Sequence, residues 1–322
     1  MVKTILFISL FCWRDTTNKD TFIFWNVENF YDWICDSTVV DEFYYNGQMR
    51  WNYGRFVKKR DRLAKTILDF SYPDYPTFIG LAEIENRLVL NQLIYKTPLI
   101  KGKYGVIHRD SPDVRGIDVA LLYRIALFNP IKSAFYPLIS KEGDTLRTRE
   151  ILYCKGVLRG KDTLHILINH WPSKYSGKKI SDISRSIAAK KLHNICDSIL
   201  SVDSYSNIIV CGDFNETTHS NLYDSLLKVL VRVELVSQLG GTIKYRGVWQ
   251  EIDHFFVSQN IYCLQSNPYL CSTSVYSHEV DYLLVRDIKY TYYKPYRTYI
   301  GPRYIGGFSD HLPIKIILIS NN

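Results

Sequence analysis

The chain has 322 residues, 46% hydrophobic and 22% charged, with 40 Lys and Arg against 32 Asp and Glu. This is an ordinary globular composition, which excludes a low-complexity or heptad-based chain, and no apolar run after the start reaches the ~18 residues a membrane-spanning helix needs. A formal net charge of +8 is compatible with a polyanionic partner without requiring one.

No Pro/Gly/Ser linker and no internal repeat divides the sequence, so residues 21–320 are expected to form a single domain, a monomer with no obligate protein partner. The 7 cysteines include no Cys-x-x-Cys and no zinc-like Cys/His spacing, and Cys211 reads as a small buried hydrophobe. Residues 1–20 begin with one Lys and an apolar run of signal-peptide size, without a small-residue cleavage site. Leu10-Phe-Cys12 has a lipoprotein-like outline, with Phe11 a poor fit. The expectation is export, as a secreted, periplasmic or lipid-anchored protein. The alternatives are a first strand or a mis-set start codon, with cytoplasmic residence.

In chain order, Thr21 to Asn29 reads as a strand with polar residues at its end, Asn26 and Glu28 sharing one face. Residues 31–54 are aromatic and irregular, a long loop. Phe56, Leu63, Ala64, Ile67 and Leu68 recur at helical spacing and predict a helix over 55–70. Its Lys58-Lys-Arg-Asp-Arg62 run reads as a solvated face, with nucleic-acid contact the alternative. Thr77 to Glu83 repeats the strand-then-carboxylate pattern, and Asn86 is placed to cap a helix carrying Val89, Leu90 and Leu93. Glu83 suits a hard divalent cation or that helix N-terminus. Residues 115–123 and 149–158 read as strands, with Arg149 either a phosphate contact or a plain surface arginine.

Residues 163–170 form a strand that His170 closes and Pro172 stops. A basic loop, 173–180, leads to a helix over 182–200 with Asp182 near its cap. Ile208 to Cys211 has the length and β-branched content of a buried strand. Gly212 frees the backbone at its end, and Asp213 and Asn215 follow, either as site residues or as turn formers. Asp253 and His254 sit at the start of a strand, where neighbours point to opposite faces, so Asp253 is assigned to the common site. Residues 286–304 interleave Lys and Arg with Tyr, as a base-stacking groove or an amphipathic edge hairpin would. Asp310 and His311 precede Pro313 and a final strand over 316–319.

Six strand boundaries therefore supply carboxylates, Asn and His, with no serine-nucleophile elbow and no phosphate-binding Gly-rich loop. That inventory suits metal-assisted attack of water on phosphorus. The stretches FWNVEN, GLAEIEN, RGIDVALLY, INHWPS, CGDFNE, WQEIDHFFVS and GGFSDHLPI, in this order, resemble the endonuclease/exonuclease/phosphatase superfamily over residues 21–319. The resemblance implies a four-layer α/β/β/α sandwich, two packed mixed sheets with outer helices and the site at one end of the sheets.

It also implies roles. Glu83 and Asn26, with Asp310 nearby, would hold Mg²⁺, with Mn²⁺ or Ca²⁺ as alternatives. Asp213 would orient or deprotonate the attacking water, and Asn215 would hold the phosphate or that Asp. His311 would bind the scissile phosphate or assist proton transfer while Asp253 fixes its ring. His170 would be a second phosphate or leaving-group contact, Arg149 would help neutralise the phosphate, and Glu28 would sit near the metal. The chain shows no identifiable carboxylate partner for His170, no inositol-phosphatase motifs and no His-x-Gln of the sphingomyelinase-type members. The expected activity is a nuclease acting on nucleic acid, DNA first. The alternatives are a phosphatase or lipid phosphodiesterase on this scaffold, or a non-catalytic binding module.

Overall fold

The computed structural model describes residues 17–34, 41–173, 178–262 and 274–321. The leader expected at the N-terminus lies outside the described residues up to residue 16, as do residues 35–40 and 174–177 of the two loops. Among the described residues, no helix is long and apolar enough to cross a membrane.

Two mixed sheets carry the chain. The first has β1 (Thr17–Phe30), β2 (Phe78–Ile84), β3 (Tyr104–His108), β4 (Asp118–Arg124), β10 (Leu235–Val236), β14 (Val275–Ser277) and β19 (Ile314–Asn321), in the order β10-β14-β19-β1-β2-β4-β3. The second has β5 (Phe128–Tyr136), β6 (Ile151–Leu158), β7 (Asp162–His170), β8 (Asn207–Asp213), β9 (Val231–Arg232) and β13 (Asp253–Val257), in the order β5-β6-β7-β8-β13-β9. β1 and β2 are parallel, as are β7 and β8, and their neighbours on either side run antiparallel.

Period-two alternation explains the layering. Phe22 and Phe24 of the first sheet and Ile166, Ile168, Ile209, Cys211 and Phe255 of the second meet in one buried cluster between the sheets. The intervening residues face outward and are covered by helices. Ile23, Trp25, Ile79 and Leu81 pack on α1 (Tyr53–Ser71) and α2 (Arg87–Tyr95). Leu167, Ile208, Val210 and Phe256 pack on Ala188, Leu192 and Cys196 of α3 (Lys178–Val202). The result is the expected α/β/β/α sandwich.

Local chemistry sets the helix ends. Asn52 and Asn86 cap α1 and α2, each side chain accepting from the backbone N–H three residues on. α3 begins before Asp182, which lies inside the helix and pairs with Arg185 instead of capping. The basic run of α1 is also not a solvated face throughout. Lys59 is 1% exposed, because it lies three residues from Phe56 and four from Leu63 on the apolar stripe.

Gly212 is needed for want of a side chain and not for backbone freedom. A Cβ there would stand 2.4 Å from the Asn169 carbonyl oxygen and 2.6 Å from the Asn169 Cβ on the adjoining strand. Gly212→Ala must therefore spread β7 from β8, at roughly 1–3 kcal/mol for overpacking. Urea unfolding should show a lower midpoint with an unchanged slope.

Candidate active site

Three strand ends of the second sheet finish in register. His170 of β7 lies opposite Asp213 of β8, and Asp213 opposite Asp253 of β13. Each is two residues from an inward-facing apolar residue (Ile168, Cys211 and Phe255), so all three side chains point into the space between the sheets. His254, one step on, turns the other way and is held by Glu251 (3.2 Å) and the Glu216 carbonyl (3.0 Å). Asn26 continues the Phe22/Phe24 alternation of the first sheet, and its Nδ2 donates to Asp213 Oδ2 across the two sheets at 3.0 Å.

Glu83 arrives by a different route. Alternation with Ile79 and Leu81 would turn it outward, under the helices. Instead the register between β1, β2 and β4 breaks here, and Glu28, Asn29 and Glu83 take left-handed backbone angles, φ of 53°, 50° and 66°. Non-glycine residues avoid that region, and their clustering at one sheet edge is the kind of strain that collects at functional sites. The irregularity brings Glu83 Oε1 to 3.9 Å from His170 Nε2 and 3.6 Å from Arg115 Nη2, while Oε2 accepts from the Asn29 N–H at 2.7 Å.

His311 comes from the loop before β19. Its backbone carbonyl accepts from Trp25 Nε1 (2.8 Å), its N–H donates to Ser309 Oγ (3.0 Å), and Ser309 Oγ donates to the Asn26 carbonyl (2.7 Å). Its Nδ1 bonds Asp253 Oδ2 at 2.8 Å and its Nε2 lies 3.7 Å from Asp213 Oδ2. Thr242 holds the same Asp253 oxygen by donating to it, and the Thr242 carbonyl accepts from the Leu312 N–H at 2.8 Å.

Two imidazoles thus flank Asp213, with His170 Nε2 at 3.6 Å and His311 Nε2 at 3.7 Å, and they differ in charge. Burial, reinforced by Arg149, Arg115 and His311, holds His170 well below the usual imidazole range, so it is neutral. Burial opposes charge on His311 too, but Asp253, with its hydrogen bond, and Asp213 outweigh it and hold the ring well above that range. Burial pushes Asp213 up to about 6, against the pull of His311 and with the help of Asp253.

The site thus brings together Asn26, Glu83, His170, Asp213, Asp253 and His311. Asn215 joins through its backbone, whose N–H donates to Asp213 Oδ1 at 3.0 Å, while its Nδ2 donates to the Trp171 carbonyl. Asp310 lies beside the group and pairs with Arg297 Nη2 at 3.1 Å.

Two of the expected site residues have their polar atoms engaged within the fold. Arg149 is buried behind His170, its Nη1 on Asp113 Oδ2 (2.9 Å) and its Nη2 on the Trp171 carbonyl (2.8 Å), so it fixes the turn after β7. Glu28 accepts from Arg297 Nε (3.0 Å) and the Thr298 N–H (2.6 Å), which ties the end of β1 to the C-terminal segment. The sequence reading missed Arg115, whose side chain is 37% exposed beside Glu83. It also missed Lys59, which donates to the Glu28 carbonyl and to Thr298 Oγ1, and which burial lowers to about 8. The lysine's place on the apolar stripe of α1 was the available signal.

The donor set fits a hard divalent cation. Glu83 Oε1 lies beyond hydrogen-bond distance of Arg115 Nη2 (3.6 Å) and His170 Nε2 (3.9 Å), while Asn26 joins Asp213 through its Nδ2 and accepts from the Glu28 N–H at its Oδ1 (3.0 Å). Asp213, Asp253 and His311 also cluster closely enough to ligate, but the ring nitrogen nearest Asp253 is already bonded to it.

A family model described as "Endonuclease/Exonuclease/phosphatase family" matches residues 21–320. No curated protein matches the sequence. Among solved structures, an endonuclease/exonuclease/phosphatase family protein from Bacteroides thetaiotaomicron superposes with a TM-score of 0.60 at 16% identity, covering 94% of this chain and 96% of its own. A mannosyl-6-phosphatase from B. thetaiotaomicron gives 0.58 at 16% identity, with 93% and 99% covered. D. rerio TDP2 complexed with a single-strand DNA product gives 0.56 at 13% identity, with 93% and 98% covered. Identities this low show a shared fold.

The raised Asp213 has a thermodynamic cost. The folded chain binds that proton more tightly than the unfolded chain, so the associated stability is present below the ordinary value of 3.8 and is lost as pH rises to about 6. Asp213→Asn removes the charge and keeps the shape. In chelator at pH 7.5 the variant should melt several degrees above wild type, a gain of no more than ~3 kcal/mol, with the gap closing toward pH 4.

Proposed function

The chain belongs to the endonuclease/exonuclease/phosphatase family of metal-dependent phosphoric ester hydrolases, and on that footing we propose that it cuts phosphodiester bonds in nucleic acid, DNA first. The observation that carries this reading is the pair of imidazoles on either side of Asp213, one neutral and one cationic.

A phosphodiester resists hydrolysis because its negative charge repels an oxygen nucleophile, so the site must orient water and offset charge. Asp213, held by Asn26 and by the Asn215 N–H, accepts a proton from the attacking water as its oxygen forms the new bond to phosphorus. The bond from phosphorus to the leaving oxygen breaks, and the His311 imidazolium gives that oxygen its Nε2 proton. Asp253 and Thr242 keep the ring aimed throughout. His170 donates one neutral hydrogen bond to a phosphoryl oxygen, and Arg115 adds a cation on the open side. Glu83 and Asn26, with Asp310 alongside, would hold a divalent ion, which when bound would supply Lewis-acid withdrawal of charge from the phosphoryl oxygens.

The likeness to a mannosyl-6-phosphatase favours a second reading, a phosphomonoesterase on the same residues. Nicking of supercoiled plasmid, set against phosphate release from mannose 6-phosphate, separates the two. Export remains part of the proposal, resting on the N-terminal apolar run.

Asp213→Ala and His311→Ala should each slow turnover by about 10²–10⁴ with the fold intact by circular dichroism. Near wild-type turnover in Asp213→Ala would remove it as the base. Wild-type turnover should fall in acid as Asp213 takes up its proton, by tenfold per unit well below its titration midpoint. Chelator should abolish activity and Mg²⁺ restore it.

A further inference from the structure

Beside the reaction centre two hairpins close on each other. One is β11 (Ile243–Tyr245) with β12 (Val248–Gln250), the other β15 (Leu284–Arg286) with β16 (Tyr293–Pro295). Lys244 Nζ of the first donates to the carbonyls of Thr291 (2.7 Å) and Tyr293 (3.1 Å) of the second. Gly247 lies so close to Tyr290 that a Cβ would stand 2.9 Å from that side chain. Between them is a cavity of about 190 Å³ lined by five cationic residues, Lys244, Arg246, Lys289, Lys294 and Arg297, against the two carboxylates Asp287 and Asp310.

The charges are unevenly matched. Asp287 faces Lys244 (3.6 Å) and Lys294 (3.5 Å), and Asp310 faces Arg297 (3.1 Å). Arg246 and Lys289 are exposed, lie against the rings of Tyr245 and Tyr290, and have no carboxylate partner among the described residues. Their backbone setting is unusual as well. Arg246 and Gly247 make a two-residue turn with φ of 48° and 85°, a place that favours Asn or Asp over Arg. Thr291 and Tyr292 hold φ of 64° and 58° at the other tip, which a β-branched residue avoids and which the Lys244 bond helps to impose.

The cleft is tied to the chemistry. Ile243 bridges to His311, Thr242 holds Asp253, and Asp310 both lines the cleft and precedes His311. From Ile243 to Arg246 the chain runs roughly 10 Å, about three residues of strand.

We propose that this cleft is a second phosphate subsite, in which Arg246 and Lys289 take a phosphate flanking the scissile one while the exposed rings of Tyr290 and Tyr292 offer stacking faces to the adjoining base. The inference rests on the nucleic-acid reading above, since a sugar monophosphate has no second phosphate to place there.

The probe is a labelled oligothymidylate of about 12 nucleotides. Its binding is followed by fluorescence anisotropy in chelator, over a range of salt, on the full chain. The double variant Arg246→Gln/Lys289→Gln should bind about tenfold more weakly at low salt, and the slope of log K against log salt should shrink by ~0.7, the loss of one neutralised phosphate on a single strand. Tyr292→Ala should weaken binding and leave the slope unchanged. Melting curves superposable with wild type confirm that the variants fold. Unchanged affinity and slope in the double variant, or no strand binding by wild type, would overturn the subsite. Plasmid nicking by wild type tests the other claim by itself. A protein that does not nick, yet shows these binding shifts, keeps the cleft and loses the nuclease assignment.

Discussion

The hydrogen bond between Asp253 and His311 decides the electrostatics of the site. It joins the start of one strand to a loop 58 residues later and makes a buried imidazole cationic against the cost of burial. That cation is what allows Asp213 and Asp253 to stand in one small space, since unpaired buried carboxylates would take up protons instead. Burial, with Arg149, Arg115 and the His311 cation adding to it, depresses His170, which has no carboxylate hydrogen bond of its own. Its Nδ1 has no hydrogen-bond partner among the described residues. A difference in surroundings gives two identical side chains two different jobs.

Precision comes from regular structure and from one departure from it. Parallel and antiparallel pairing place His170, Asp213 and Asp253 side by side with no loop in between. Rigid strands are better holders of a catalytic set than loops, and here even the loop residue, His311, is fixed at its carbonyl, its N–H and its ring. Behind this set, Lys59 binds the end of β1 to Thr298, so the C-terminal segment that presents Asp310 and His311 is latched to the first sheet.

Much of this was legible in the sequence. Apolar runs ending on polar residues located the strand ends, and period-two alternation chose Asp253 over His254 correctly. Asn86 was recognisable as a cap because its spacing to Val89 is local. What stayed illegible was non-local. Nothing near Arg149 or Glu28 reveals that Asp113, Trp171, Arg297 and Thr298 take up their polar atoms, because those partners come from distant segments. Lys59 was read as solvated because a charge run looks solvated until its burial is known. Gly212 was identified as important for the wrong reason, since a close approach to Asn169 requires the sheet pairing to be known. The stretch 286–304 was left between a groove and a hairpin, and its backbone proves to be two short hairpins.

The left-handed angle at Glu83 reaches further. A regular sheet edge would relieve strain and gain ladder hydrogen bonds, yet it would leave the carboxylate under α1 and α2, out of reach of any phosphate. Selection for a sturdier fold and selection for turnover therefore pull this one residue in opposite directions. An effort to harden the protein by tidying its backbone would give up the register break that turns Glu83 toward His170 and Arg115.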